Sequence, residues 1–174
     1  MREITNDRFE ALVKQVPVKP RFKRELKFRA STERMDPAQW VETELLPIWN
    51  RSGNGGMLLI EVDDILYMVP FEASKPSAGT SGRAKPVICD LCFTWQSGGG
   101  GGFVTFYPGK GSDDSVSLLC CMDLACSANV RTKTPASLKS RAQLREDLTN
   151  DDRAERLHGR LKNFAARLQL EEAN

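Results

Sequence analysis

The chain has 174 residues, of which 40% are hydrophobic and 28% are charged, and its formal net charge is +2. This balance is typical of a soluble globular protein and argues against extensive disorder. It is too even to indicate a nucleic-acid-binding protein by itself. No apolar run approaches the roughly 20 residues that span a bilayer, and no secretory signal is recognisable, so we expect a cytoplasmic protein without a membrane partner.

The first 50 residues predict short helices separated by a basic segment. Residues 5–16 place their apolar side chains on one helical face, with a capping residue at the start. Residues 19–29 carry six Lys and Arg side chains, which could contact ribosomal RNA, contact an acidic protein face, or form a solvated helix surface. Residues 36–49 predict a further helix, because Asp36 followed by proline is a common helix start.

A β-hairpin is predicted next, followed by a linker. Residues 57–62 and 65–71 are rich in strand-forming side chains, and the two residues between them, Asp63 and Asp64, predict a tight turn. Residues 73–85 contain small residues, Pro and Gly, which is the composition of a linker.

We therefore predict an α+β fold in two parts. The first part is a small α+β N-terminal domain over residues 1–72. The linker over residues 73–85 leads to a second domain over residues 86–174.

Strands and helices are also predicted in the second part. The glycine run 98–102 predicts a mobile loop tip, and residues 103–107 and 115–119 predict two strands. Residues 136–148 predict a helix, and Thr149 or its neighbour caps a final one. The apolar stripe of that final helix has spacings of four, three and four residues and consists of Leu157, Leu161, Phe164 and Leu168.

The five cysteines all lie within one segment, between Cys89 and Cys126. A reducing cytosol disfavours disulfides, so this cluster predicts a metal site. Two residues separate Cys89 from Cys92, and 28 residues later come Cys121, four residues and Cys126. Four thiolates fill the tetrahedral shell of zinc and leave no open position, so we predict a structural Zn²⁺ rather than a catalytic one.

Residue spacing leaves the third ligand open between Cys120 and Cys121. Neighbours on a strand point to opposite faces, so only one of the two can face the metal, and periodicity does not say which. Buried cysteines acting as small hydrophobic residues and a thioredoxin-like redox pair at Cys89 and Cys92 are alternatives. Neither accounts for two pairs at ligand spacing. A Cys-x₂-Cys turn, a hairpin and a helix carrying the last ligand predict a treble-clef zinc-finger domain with a C-terminal helix.

The segment LLCCMDLACSANVRTK, residues 118–133, resembles the treble-clef zinc finger of elongation factor G-binding proteins, the FusB/FusC-type fusidic-acid resistance family. The resemblance covers about residues 86–170. The signature residues that match are Cys121, Asp123, Leu124, Cys126, Ser127, Val130 and Arg131.

This resemblance implies a non-enzymatic protein that binds elongation factor G through its zinc domain. It further implies release of that factor from the ribosome, which rescues complexes stalled by fusidic acid, and it selects Cys121 as the third zinc ligand. The alternative function is a zinc-containing protein that binds ribosomal RNA or DNA. The sequence does not fix the oligomeric state, and we expect a monomer.

Partner contacts are predicted on the hairpin and beside the zinc-anchored helix. Strand alternation places Phe103 and Phe106 on opposite faces, so one belongs in the core and the other can be exposed. Arg131 and Lys133 follow the helix that carries Cys126 and would be rigidly presented, although Arg131 could instead bond carbonyls near the zinc site. Phe164 completes this set of candidate contacts. Asp123 is predicted to cap the Cys126 helix, and the single histidine suggests no catalytic role.

Overall fold

A computed structural model describes residues 1–74, 86–97, 99–108, 115–140 and 146–173. The helices among these residues are α1 (Asn6–Gln15), α2 (Pro20–Glu25), α3 (Phe28–Thr32), α4 (Pro37–Val41), α5 (Cys126–Val130), α6 (Pro135–Leu138) and α7 (Asn150–Arg167). The strands are β1 (Leu45–Trp49), β2 (Gly55–Val62), β3 (Ile65–Ser74), β4 (Val87–Ile88), β5 (Trp95–Gln96), β6 (Gly101–Phe106) and β7 (Val116–Cys121). None of the helices within these ranges has the length and hydrophobicity of a membrane span.

One antiparallel sheet connects both halves of the chain. Its strand order is β1–β2–β3–β6–β7, and β4 and β5 form a separate two-stranded sheet. Strand β3 pairs with β6, so that Phe71 lies opposite Phe106. The predicted parts 1–72 and 86–174 therefore contribute strands to the same sheet. Most of the segment between them, residues 75–85, lies outside the described residues. The α+β fold class is confirmed.

The two faces of the sheet carry different helices. Helix α7 covers one face and buries its predicted stripe there, from Leu157 to Leu168, together with the cysteine cluster. Helices α1 to α4 cover the other face over strands β1 to β3. On that side Phe9 and Phe28 stack with ring centroids 4.4 Å apart. The sheet thus separates two apolar cores, one packed against each of its faces.

The predicted helix over residues 36–49 is wrong in its second half. Helix α4 begins as expected, with the Asp36 side chain accepting from the Gln39 backbone N–H, but it ends at Val41. Residues Leu45–Trp49 instead form β1 along β2. Pro47 lacks the N–H that a helix interior needs, and an edge strand tolerates a proline. Pairing with β2 therefore decides the conformation of this segment.

The predicted loop at the glycine run is also shorter than expected. Gly101 and Gly102 form the start of β6 and pair with β7, and Gly98 lies outside the described residues. A Cβ atom on Gly101 would lie 2.1 Å from the Val87 Cγ2 atom. Glycine is therefore required here because β4 packs directly against the backbone of β6.

The last two helical predictions differ in outcome. Helix α6 (Pro135–Leu138) overlaps the predicted helix 136–148 only at residues 136–138. Residues 146–148 are not helical, and residues 141–145 lie outside the described residues. Thr149 caps α7 as predicted, accepting from the backbone N–H of Asp152 in a capping box. The first helix, α1, is likewise capped by Thr5.

The β2–β3 turn generates a stability prediction. Asp63 and Asp64 have φ angles of 51° and 63°, which is the left-handed region that non-glycine residues adopt at a cost. We expect Asp64→Gly to stabilise the protein by about 0.5–1 kcal/mol, because glycine adopts this conformation without a Cβ clash. Urea unfolding of the zinc-loaded protein measures the change. Lower stability of this variant would contradict a strained turn.

Candidate metal centre

The first cysteine pair lies in a tight turn between β4 and β5. Cys89 follows β4, and its carbonyl accepts from the Phe93 backbone N–H at 2.9 Å. The Cys92 backbone N–H donates to Cys89 Sγ at 3.5 Å. Phe93 closes the turn with a φ of 61°. This fold-back brings both sulfur atoms of the Cys-x₂-Cys motif to the same side of the turn.

The second pair joins the end of β7 to the start of α5. Leu124 donates its backbone N–H to the Cys121 carbonyl at 3.0 Å and has a φ of 52°. The Asp123 carboxylate accepts from the Ala125 backbone N–H at 3.0 Å. The N-cap position belongs to Ala125, which makes no side-chain cap bond. The prediction that Asp123 caps α5 is therefore wrong. The Asp123 carboxylate instead stabilises the turn that precedes the helix.

The two pairs meet in one cluster of four sulfur atoms. All four Sγ atoms, from Cys89, Cys92, Cys121 and Cys126, lie within 4.8 Å of one another, and all four residues are buried. The Cys89–Cys126 and Cys92–Cys121 sulfur separations are 3.8 Å and 3.5 Å. Tetrahedral zinc with Zn–S bonds of about 2.3 Å needs sulfur atoms roughly 3.8 Å apart, whereas a disulfide needs about 2.05 Å. The donor set therefore fits one zinc ion.

Cys120 is also buried but is not part of this four-sulfur cluster. The geometry thus favours Cys121 over Cys120 at the third position. A hydrogen bond with the Cys120 thiol is the largest influence that holds the pKa of Cys89 well below its ordinary value, followed by those with Cys121 and Cys126. The pKa of Cys126 is instead raised well above its ordinary value, first by its bond with Cys121. Four adjacent thiolates require a cation, which zinc supplies.

Buried amides surround the sulfur of Cys121. Gln96 Nε2 and Asn129 Nδ2 each donate to Cys121 Sγ at 3.2 Å. Thr134 donates its hydroxyl to Asn129 Oδ1, which orients the Asn129 amide. Such donors stabilise a ligating thiolate. Sequence reasoning missed both amides. The available signal was the position of Asn129, three residues after Cys126 in the segment 118–133 that carries the signature.

Helix α7 holds the first cysteine turn from outside. The guanidinium groups of Arg160 and Arg156 lie 3.9 Å and 4.7 Å from the centroid of the Phe93 ring. Arg160 also donates to the Asp90 carbonyl. Cation–π contacts of this kind stabilise the strained turn against the C-terminal helix.

Arg131 links the cysteine helix to the first half of the chain. Its guanidinium donates to both Glu44 carboxylate oxygens, at 3.0 Å and 2.5 Å, and to the Ser127 carbonyl at 3.0 Å. Ser127 Oγ in turn accepts from the Glu44 backbone N–H at 3.0 Å. The side chains of Arg131 and Glu44 are only 17% and 13% exposed. Arg131 is therefore engaged inside the protein, which corrects its prediction as a partner contact.

The aromatic candidates divide between core and surface. Phe106 and Phe164 are buried and pack edge to face with centroids 4.9 Å apart. The prediction that they contact a partner is corrected, because the core occupies both rings. Phe103 is 54% exposed. Lys133 is exposed and forms an ion pair with Glu42.

Comparison with known protein families identifies a match that covers most of the chain. The model of a family described as "FBP C-terminal treble-clef zinc-finger" matches residues 21–168. No curated protein matches the chain, and no solved structure matches it. The matched range includes the zinc cluster, the whole five-stranded sheet and helices α3 to α7.

Zinc content tests the assignment of the cluster. We expect Cys121→Ser to lose stoichiometric zinc and to unfold at much lower urea concentration, because three sulfur ligands leave the site incomplete. Cys120→Ala is the matched control, and it should retain one zinc ion with a loss of about 1 kcal/mol from core packing. Metal analysis of both purified proteins checks this. Zinc lost from the Cys120 variant and kept in the Cys121 variant would reverse the assignment.

The Arg131–Glu44 pair generates a second prediction. We expect Arg131→Met to destabilise the zinc-loaded protein by about 2 kcal/mol, because it leaves a half-buried carboxylate without its partner. In a double-mutant cycle with Glu44→Gln, the two changes should couple by about 1–2 kcal/mol. Arg131→Met combined with Glu42→Gln serves as the comparison, since Glu42 pairs with Lys133 instead. Additive effects for Arg131 and Glu44 would contradict the link.

Proposed function

The chain belongs to the FBP C-terminal treble-clef zinc-finger family, and on that premise we propose that it binds elongation factor G and promotes release of this factor from the ribosome. The observation that carries the proposal is the family match over residues 21–168, which spans both the cysteine cluster and the sheet. The family is one of binding proteins rather than enzymes.

Zinc has a structural task in this proposal. The ligands are the four clustered thiolates of Cys89, Cys92, Cys121 and Cys126. Four protein ligands leave no coordination position for water or substrate. The burial of all four sulfurs and the amide donors around Cys121 support a closed site that holds the turns, β7 and α5 together.

The open half of the sheet is the proposed contact surface for elongation factor G. Helices α1 to α4 cover this face over β1 to β3, whereas over β6 and β7 it carries exposed side chains. Phe103 is the large apolar residue there, opposite Leu119 on β7 and Ser74 on β3. Aromatic side chains held on rigid strands are frequent binding hot spots. Phe103 is therefore the candidate anchor, and Lys133 is a secondary candidate.

Calorimetry with purified elongation factor G tests the proposal at about 150 mM salt. We expect the wild-type protein to bind and Phe103→Ser to bind at least about tenfold more weakly, because the anchor loses its apolar contact. Val41→Ser is the matched control, since Val41 is 78% exposed and lies on α4, away from β6. Zinc content and urea unfolding should be unchanged in both variants.

Two outcomes would contradict this function. Absence of binding by the zinc-loaded wild type would exclude elongation factor G as the partner. Steeply salt-dependent binding to ribosomal RNA or DNA without binding to the factor would favour the alternative of a nucleic-acid-binding zinc protein. Release is tested separately by sedimenting ribosomes loaded with the factor and fusidic acid. The factor should move to the supernatant when the protein is added.

A further inference from the structure

A basic cleft lies in the N-terminal helical layer, on the face of the sheet opposite α7. It has a volume of about 650 Å³ and is lined by α1 on one side and by residues 23–30 on the other. The lining contains five basic residues and one acidic residue, Glu10. The whole chain carries a net charge of only +2, so this cleft concentrates positive charge.

The basic side chains on the rim are available to a partner. Lys14, Arg24, Lys27 and Arg29 are exposed, and within the described ranges none of them forms an ion pair. In contrast, Arg21 on α2 is paired with Glu25 at 2.8 Å. Unpaired cations gathered around one concave surface favour a negatively charged partner.

The floor of the cleft is apolar. Val13 and Phe28 line it as buried residues, and Leu26 lines it as a half-buried one. An apolar floor inside a basic rim complements a segment that presents apolar side chains flanked by carboxylates. The aromatic rings are not available for base stacking, because Phe9 and Phe28 stack on each other and are almost fully buried. Single-stranded nucleic acid relies on such exposed rings.

We propose that this cleft binds an acidic amphipathic segment of a partner protein. Apolar side chains of the segment pack on the floor, where the half-buried Leu26 is an accessible apolar side chain. Its carboxylates pair with Lys14, Arg24, Lys27 and Arg29. The surface is separate from Phe103, which lies on β6 beyond the strands that the helices cover. The proposal therefore stands whether or not elongation factor G is the partner at the sheet.

A designed peptide of about 15 residues is the probe, with leucines at helical spacing and glutamates beside them. Titrated into the ¹⁵N-labelled, zinc-loaded protein, it should shift the backbone amide signals of residues 9–30 and leave those around Cys121 unchanged. Fluorescence anisotropy gives the affinity, which should fall as salt is raised. Arg24→Glu/Lys27→Glu should weaken binding at least about tenfold by replacing attraction with repulsion.

The control variants keep this test specific. Arg24→Lys/Lys27→Arg should bind like wild type, and so should Lys139→Glu, an exposed residue after α6 that does not line the cleft. A peptide with serine in place of leucine, and one with lysine in place of glutamate, should both fail to bind. Equal binding of the serine peptide, binding of an oligouridylate instead of the acidic peptide, or no shifts in residues 9–30 would each overturn the proposal.

Discussion

Four cysteine sulfur atoms lie within 4.8 Å of one another, and the structure around them depends on this one constraint. The sulfurs come from a turn between β4 and β5, from the last residue of β7 and from the first residue of α5. Four clustered thiolates repel one another unless a cation neutralises them, so metal binding and local folding are one event. Two non-glycine residues, Phe93 and Leu124, adopt left-handed backbone conformations in the turns that present these sulfurs. Metal ligation and the contacts of α7 offset that strain.

The zinc helix is also the link to the rest of the chain. Ser127 and Arg131 follow Cys126 in the signature and bind the backbone and the carboxylate of Glu44, at the start of the edge strand β1. Through these bonds the metal centre orients the edge of the five-stranded sheet. The family match begins at residue 21 and therefore includes Glu44 as well as the cysteines. The first half of the chain and the zinc helix therefore belong to one structural unit, because Ser127 and Arg131 bind Glu44 and β3 pairs with β6.

The two surfaces proposed for partners lie among the described residues, and they differ in chemistry. The outer face of β6 and β7 carries the exposed aromatic ring of Phe103, with Leu119 opposite it on β7 and Ser74 opposite it on β3. The N-terminal cleft is concave, basic at its rim and apolar at its floor. A sheet face with an exposed aromatic ring and a charged cleft select different partner segments. The cleft lining includes neither Phe103 nor the residues opposite it, so a protein that engages one surface does not have to occupy the other.

The sequence by itself determined the features whose signals lie within a few residues. The spacing of the cysteines, the capped helix α1, the β2–β3 hairpin and the apolar stripe of α7 all follow from local periodicity and local hydrogen bonding. Strand alternation also separated Phe103 from Phe106, although it could not say which ring is buried. The choice between Cys120 and Cys121 needed either a resemblance or three-dimensional geometry.

Only the tertiary structure decided the features that join distant residues. Residues Leu45–Trp49 form a strand because β2 offers a hydrogen-bonded partner, whereas the sequence analysis extended the helix that begins after Asp36 through them. Pairing of β3 with β6 joins the two predicted parts, and Arg131 contacts a glutamate 87 residues earlier. Phe164 is buried because it meets Phe106 across the core. Such contacts leave no local pattern in the chain, since the energy of each depends on a partner that only folding brings near.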